Sequence, residues 1–277
     1  MKVLLYIGKG KGENNFGGYA PEKIFSELGV EYSIIDENAL NCGENEDYRG
    51  KYAAIFVYGG DGTILRTVDF SAKTEIPIVG VNVGKLGFLS EFERSEVCDA
   101  INLLKNNALK KDERVTLSVK FNENNWTALN DVVVQRVNCE GNSGIIVYLS
   151  AYIDDNLVDK IAGDGIIIST PTGSTAYSLS AGGSILAPGI GAFQLTPICA
   201  HSFNNRPLVF SSDSVCKIQL KDGCDAGLIV DGKEVDILKK GNEINVSKSD
   251  KSVVFLRKPS FDFYDRLSQK IKKGSNR

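Results

Sequence analysis

The stretch Ala53-Ala54-Ile55-Phe56-Val57-Tyr58-Gly59-Gly60-Asp61-Gly62-Thr63-Ile64-Leu65-Arg66-Thr67-Val68 decides the fold class. Its first six residues form an apolar run with the length and composition of a strand buried on both faces. Residues 64–68 open as a helix, which makes 59–63 a glycine-rich turn between strand and helix. Such turns bind anions in α/β proteins. Glycine lets the backbone approach a phosphate, and free N–H groups at the helix start point at it. Asp61 is unexpected in a turn that only binds phosphate, because a carboxylate repels it. It fits a turn where a carboxylate holds a cation or accepts a hydrogen bond from an attacking hydroxyl, as phosphoryl transfer requires. The other use of Asp61 is a plain N-cap, with the glycines making the turn.

Outward from this stretch, strand and helix patterns alternate up to about residue 110. Strands are expected at 2–7, 31–36, 53–58 and 76–82, and helices at 21–28, 62–71 and 95–107. Gly29 closes the first helix as a C-cap does, and Ser95 is the expected N-cap of the last. Alternating strands and helices predict a parallel, Rossmann-like doubly wound sheet in an α/β N-terminal domain, 1–110. Beyond it the period changes to two. Val115, Leu117, Val119 and Phe121 alternate with polar residues, as do Ile145, Val147, Leu149, Ala151 and Ile153, and later Cys216, Ile218 and Leu220. With turns at Asp222-Gly223 and Asp231-Gly232, residues 111–258 read as an all-β sandwich. An amphipathic helix over 261–271 follows Pro259, and the tail 259–277 is expected to return to the first domain. The loop Gly8-Lys9-Gly10-Lys11-Gly12 lacks the full dinucleotide fingerprint, since position 13 is Glu13.

Composition narrows the function. The chain has 277 residues, 32 basic against 35 acidic, a net charge of −3 and 42% apolar residues. This is ordinary for a globular protein of one or two domains and gives no basic excess for a nucleic-acid partner. No apolar stretch approaches the ~20 residues that cross a bilayer, and the first residues read as a core strand rather than a signal peptide. The six cysteines form no C-x-x-C pair, so reduced thiols of a cytoplasmic protein are expected. His201 is the only histidine. Catalysis, if the chain carries any, is therefore expected to lean on carboxylates and a hard cation bound by oxygen.

A second cluster runs over 163–184: Gly163-Asp164-Gly165-Ile166-Ile167-Ile168-Ser169-Thr170-Pro171-Thr172-Gly173-Ser174-Thr175-Ala176-Tyr177-Ser178-Leu179-Ser180-Ala181-Gly182-Gly183-Ser184. An apolar strand leads into a hydroxyl- and glycine-rich turn and a short helical stretch of small residues. Small side chains admit a planar ring, and hydroxyl and N–H groups read its edge. A tight strand-to-helix packing corner needs small residues too, and the residues alone do not separate the two.

Together with 59–63, this cluster closely resembles the NAD kinase family. Leu129-Asn130-Asp131-Val132-Val133, Gly80-Val81-Asn82-Val83-Gly84-Lys85-Leu86-Gly87-Phe88-Leu89 and Val230-Asp231-Gly232 match that family in order and spacing. The resemblance covers essentially the whole chain. The Gly-Asp-Gly element alone is shared with lipid kinases and phosphofructokinases, whereas 163–184 is highly specific.

The resemblance implies transfer of a phosphoryl group from ATP or polyphosphate to the 2′-hydroxyl of the adenosine ribose of NAD, with Mg2+ as divalent cation. It implies an α/β domain followed by a β-sandwich, a homotetramer, and a site often completed by a neighbouring subunit. It makes Asp61 the catalytic carboxylate facing the 2′-hydroxyl, with Gly62 contributing backbone contacts. Arg66 is a further nucleotide-binding position. Asn130 and Asp131 bind ribose and nearby polar groups of the dinucleotide. Thr175, Ala176, Tyr177 and Ser180 line the base and ribose pocket, within a segment that includes Ser178 and Leu179. Phe88 packs on the adenine, and Asp164 contacts the second nucleoside half. Some relatives carry arginine two residues before Asp164, where this chain has Ala162, which leaves a phosphate contact to Lys160 or another subunit. Two rival classes stand beside this reading. A lipid or sphingoid-base kinase shares 59–63, but hydroxyl-rich walls at 172–180 do not suit an acyl chain. A non-catalytic dinucleotide sensor on the same fold would show no turnover.

Overall fold

The computed structural model describes residues 1–8, 21–41, 48–84, 87–137, 146–201 and 206–274. Most of the first glycine loop, Cys42, Lys85, Leu86, Cys139 and Ile145 lie outside them. The chain divides into two units, Met1–Glu113 with Ser252–Arg277, and Arg114–Lys251. The sequence reading put these divisions at 110/111 and 258/259.

The first unit carries β1 (Lys2–Ile7), α1 (Pro21–Glu27), β2 (Glu31–Ile35), α2 (Glu37–Asn41), β3 (Ile55–Tyr58), α3 (Asp61–Leu65), α4 (Val68–Thr74), β4 (Ile78–Asn82), β5 (Phe92–Glu93) and α5 (Val97–Lys105). β2, β1, β3 and β4 lie side by side, all parallel, and β5 also pairs in parallel with β4. All four residues of β3 are buried, as a parallel strand covered on both faces requires. Because the order runs 2-1-3-4, the chain reverses its winding direction between β1 and β3. Loops leaving the carboxyl ends of strands at such a switch are where open α/β sheets bind ligands. The turn 59–63 leaves β3 at that place.

Local chemistry moved two boundaries and kept a third. The single helix expected over 62–71 is two, because Thr67 turns its hydroxyl back onto the Ile64 carbonyl at 2.8 Å and α4 starts afresh at Val68. Ser95 is not the N-cap of α5. A one-turn 3-10 helix, Arg94–Glu96, precedes it, and the Glu96 carboxylate accepts the Glu93 N–H at 2.9 Å in a capping box. Gly29 ends α1 in the left-handed region, φ +62°, as expected.

The second unit carries most of β6 (Lys110–Phe121), then β7 (Asn124–Ala128), β8 (Asp131–Arg136), β9 (Val147–Ile153), β10 (Asn156–Gly163), β11 (Gly165–Ser169), α6 (Tyr177–Ser180), β12 (Ala192–Ile198), β13 (Leu208–Ser211), β14 (Cys216–Gly223), β15 (Ala226–Val230), β16 (Lys233–Leu238) and the start of β17 (Glu243–Arg257). One antiparallel sheet runs β13-β12-β11-β8-β15-β16; in the other, β9 lies between β10 and β14, and β17 pairs with β14 and β6. Their inner faces share one core that includes Leu117, Val132, Val134, Leu149, Ile166, Ile168, Ile218 and Leu228. Val133 and Ile167 face the other way and meet Ala181, just past α6. That second cover explains why the run 165–169 is apolar throughout rather than alternating. Asp222-Gly223 is not a free turn. It ends β14 after a bulge, and Gly223, φ +99°, lies so close to β9 that a Cβ would sit 2.1 Å from the Ile146 carbonyl oxygen.

The end of β17 belongs to the first unit, where Phe255 pairs with Ile78, and α7 (Phe263–Gly274) follows. Arg257, 1% exposed, meets Asp112 at 3.0 Å and Glu91 at 3.7 Å, and Arg266 on α7 meets Glu91 at 2.9 Å. Buried charge is tolerable only when paired in this way. Cys98, Cys199 and Cys216 are free thiols.

Candidate active site

The glycines of 59–63 serve two different needs. A Cβ on Gly59 would sit 2.3 Å from the Thr63 side chain, and one on Gly8 would sit 2.8 Å from it, so these two glycines admit Thr63. Around Gly60 and Gly62 the space a Cβ would enter is open. Asp61 is not an N-cap. Gly60 holds that position without a side-chain bond, and Asp61 is the first helical residue. Its carboxylate reaches to residues 27 and 28 positions on, accepting the Phe88 N–H through Oδ2 at 2.8 Å and the Leu89 N–H through Oδ1 at 3.1 Å. Gly87 allows this approach, since a Cβ there would lie 1.8 Å from Oδ1. The Arg257 guanidinium takes the Leu89 carbonyl from the other side at 2.6 Å. Phe88 is half-buried, with the Lys270 ammonium 5.3 Å from its ring centre. Arg66 is exposed and ion-paired with Glu37 at 2.5 Å.

In the second unit Asp131 opens β8 and Asn130 immediately precedes it. Their backbone is fixed on both sides by residues distant in sequence. The Asp231 carboxylate accepts three N–H groups: Leu129 at 2.8 Å, Asn130 at 2.7 Å and Asp131 at 3.1 Å. The Thr170 hydroxyl donates to the Leu129 carbonyl at 2.5 Å, and the Thr170 N–H donates to that of Asn130 at 2.9 Å. Gly173 comes so near Asn130 that a Cβ would meet its carbonyl oxygen at 1.9 Å. Asp231 and Gly232, φ +47° and +81°, form the two-residue turn between β15 and β16, the expected use of an Asp-Gly pair.

The Asp131 side chain is buried, and its carboxyl is pushed up to about 7, by burial first and by the Asp231 charge second. Burial raises Asp231 to about 6 against the pull of its three amide donors. Asp231 keeps some surface at the turn while its carboxylate is enclosed. Three N–H groups stabilise the ionised form, so Asp231 is the charged member of the pair and Asp131 takes the proton first.

The cluster 169–184 is a packing corner and a surface at once. Its inner residues pack. Ser174 donates to the Pro171 carbonyl at 2.6 Å and accepts the Leu186 N–H at 2.9 Å. Ser178 corrects the sequence reading: its hydroxyl is fully buried, 2.9 Å from the Thr196 hydroxyl and accepting the Gln194 amide at 2.7 Å. Its side chain lies on the inner side of the segment. Tyr177, Leu179 and Ser180 are exposed, and Thr175 and Ala176 half-buried. These five carry the outward side of the segment.

Asp164 is held by Arg136, Nε to Oδ1 at 2.6 Å, across the β8–β11 pairing. Arg136 also lines a cavity of about 350 Å3 with Gln135, Val137, Ile229 and Glu234. The sequence reading missed Arg136, which no spacing ties to Asp164, and it noted Asp231 only as part of a motif.

Asp61, Gly62, Arg66 and Phe88 therefore lie in the first unit, and Asn130, Asp131, Asp164 and 175–180 in the second. Residues 40–108 match the sequence family described as ATP-NAD kinase N-terminal domain, and residues 129–258 match ATP-NAD kinase C-terminal domain. The chain belongs to the NAD kinase family. It is 33% identical over 261 residues to the NAD kinase of Sulfurimonas denitrificans, covering 91% of this chain and 90% of that one. It is 36% identical over 250 residues to the NAD kinase of Methanothermobacter thermautotrophicus, covering 90% and 87%. Among solved structures it resembles yeast NADH kinase complexed with NADH, with a TM-score of 0.77 and 26% identity over 93% of this chain and 83% of that one. An Archaeoglobus fulgidus NAD kinase in complex with ATP shares the fold at the same TM-score and 24% identity, covering 98% and 99%. Membership makes the chain a kinase and leaves the lipid-kinase and sensor readings without support.

Proposed function

We propose that this chain transfers the terminal phosphoryl group of ATP or polyphosphate to the 2′-hydroxyl of the adenosine ribose of NAD, forming NADP. The observation that carries this reading is the Asp61 carboxylate. It is turned off its own helix and set by two amides beside the open glycines 60 and 62. Each carboxylate oxygen accepts more than one hydrogen bond, so two amides leave capacity for a hydroxyl. In the transfer a bond forms between the 2′ oxygen and phosphorus, and the bond to the donor's bridging oxygen breaks. The hydroxyl proton passes to Asp61. The loose transition state of phosphoryl transfer asks for little early deprotonation. Asp61 thus orients the hydroxyl first and takes its proton late.

Asn130 and Asp131, Thr175 to Tyr177, Leu179, Ser180 and Asp164 hold the dinucleotide in this reading, and Phe88 packs on the adenine. Among the described residues no group of three or more His, Cys, Asp or Glu is arranged to hold a metal ion. Mg2+, expected with a polyanionic donor, enters this reading as a counter-ion carried on the donor's phosphates. No described helix is long and apolar enough to cross a membrane. A cytoplasmic homotetramer completes the reading, supported by exposed Leu208 and Val209 on β13 and Leu157 and Val158 on β10, both sheet-edge strands.

The test incubates purified protein with NAD or NADH against ATP or polyphosphate, with Mg2+, and measures NADP(H) formed. Product from NAD is the expected result. Absence of product in all four combinations overturns the reading.

A further inference from the structure

Asp231 joins two facts that a turn residue need not share. It occupies a left-handed position in the β15–β16 hairpin, where aspartate and asparagine are tolerated far better than most residues. Its carboxylate also crosses to a segment 100 residues earlier and accepts all three consecutive N–H groups of Leu129, Asn130 and Asp131. The Asp231 N–H in turn donates to the Asp131 carbonyl at 3.0 Å. With Thr170 holding the Leu129 and Asn130 carbonyls, every backbone polar group of 129–131 has a partner outside its own segment. Hairpin formation alone explains none of these bonds, because an Asp-Gly turn closes without its side chain. Three N–H groups converging on one carboxylate form an anion nest, and here the chain supplies its own anion.

We propose that Asp231 is a positioning residue for the acceptor dinucleotide, its carboxylate clamping the 129–131 backbone so that the Asn130 and Asp131 side chains meet the ligand in one fixed geometry. The inference rests on the proposed function above. It predicts a defect confined to the dinucleotide. Charge-assisted hydrogen bonds are about twice as strong as neutral ones, and a clamp lost from the motif loosens both side chains together.

Asp231→Asn is the informative variant. Asparagine suits the left-handed turn as well as aspartate, so the hairpin survives. One carboxylate oxygen becomes an NH2 group, which leaves an amide donor facing a donor. The expected result is a KM for NAD raised by about 10-fold to 100-fold, with kcat and the KM for the phosphate donor little changed. Gly232→Ala is the structural control. Gly232 has φ +81° and open space where a Cβ would stand, so alanine strains the turn without touching the clamp. It is expected to lower the melting temperature and leave the KM for NAD alone. Thr170→Val loosens the same motif from the carbonyl side and is expected to raise the KM for NAD with Asp231 intact; it carries the test if Asp231→Asn does not fold. An unchanged KM for NAD in Asp231→Asn, or equal kinetic defects in Asp231→Asn and Gly232→Ala, overturns the positioning role while wild-type turnover leaves the proposed function standing. A wild-type chain that makes no NADP overturns both.

Discussion

Asp61 and Asp231 invite comparison because each belongs to an Asp-Gly pair and each sends its carboxylate to distant backbone amides. Asp61 takes two N–H groups, one on each oxygen, from Phe88 and Leu89. Asp231 takes three, two of them on Oδ1, from 129–131. The segments they hold are gripped from the carbonyl side as well, by Arg257 in the first unit and by Thr170 in the second. The construction is the same, and the capacity left over differs. A carboxylate has about four lone-pair sites. Asp61 retains two of them beside a glycine turn with open space, whereas Asp231 is enclosed and faces a second carboxyl, Asp131. One anchor can also meet a substrate hydroxyl. The other only sets geometry.

The largest effect expected from breaking this comparison is at Asp61. Asp61→Asn should lower turnover by about 10²-fold to 10⁴-fold, the usual contribution of a positioned general base. The structure adds a complication: asparagine also surrenders one of the two amides of the 87–89 loop. Gly87→Ala separates the two roles, because its Cβ would collide with Oδ1 while the carboxylate stays. A displacement of that kind should cost up to about 10²-fold in kcat. Steady-state kinetics of both variants decide the matter. Equal losses make Asp61 an anchor above all; a much deeper loss in Asp61→Asn leaves its chemistry standing.

Much of this was legible in the sequence, and the rest was hidden for identifiable reasons. The run 53–58 and the turn after it announced a buried parallel strand and its loop, because burial on both faces leaves an unbroken apolar signature. The period-two alternation announced the sandwich. What local pattern does not carry is a side chain's distant partner. Nothing near Asp61 points to Phe88, and nothing near Asp231 points to Asn130. Arg136 meets Asp164 only because β8 and β11 are antiparallel neighbours. Ser178 misled for the opposite reason. A hydroxyl in a hydroxyl-rich segment reads as a ligand contact, yet helical spacing turns it inward to Thr196 and Gln194 while Tyr177 and Leu179 face out.

The enclosed pair also carries a pH signature that an open carboxylate lacks. Asp131 and Asp231 stand near 7 and 6 in the folded chain, against about 3.9 for an ordinary aspartate. The folded state therefore holds protons that the unfolded state has already released. Stability from these groups is full below about pH 4 and declines as pH rises toward 7, by at most about 1.4 kcal/mol per pH unit for each proton. Asp131→Asn removes one ionisation and the repulsion with it. Melting temperature followed from pH 4 to pH 8 should fall more steeply for wild type than for Asp131→Asn. Parallel curves would mean that the two carboxyls are not enclosed together.

The smallest expected effect tests whether the outer side of 175–180 works independently of the inner one. The Ser178 hydroxyl is buried and shared among Thr196 and Gln194, so Ser178→Ala leaves both with one partner fewer. A neutral buried hydrogen bond contributes about 1 kcal/mol net, with a further cost for the partner left unsatisfied. For a chain of this size that corresponds to roughly 2–4 °C in melting temperature. The Ser178 hydroxyl bonds Thr196 and Gln194 beneath the segment, so the KM for NAD should not move. Ala176→Leu is the counterpart on the open side: it should raise the KM for NAD with melting near that of wild type. Calorimetry and steady-state kinetics on the two variants then give opposite patterns. If Ser178→Ala raises the KM and Ala176→Leu lowers the melting temperature, the assignment of inner and outer faces is reversed, and the ring would have to enter from the Gln194 side.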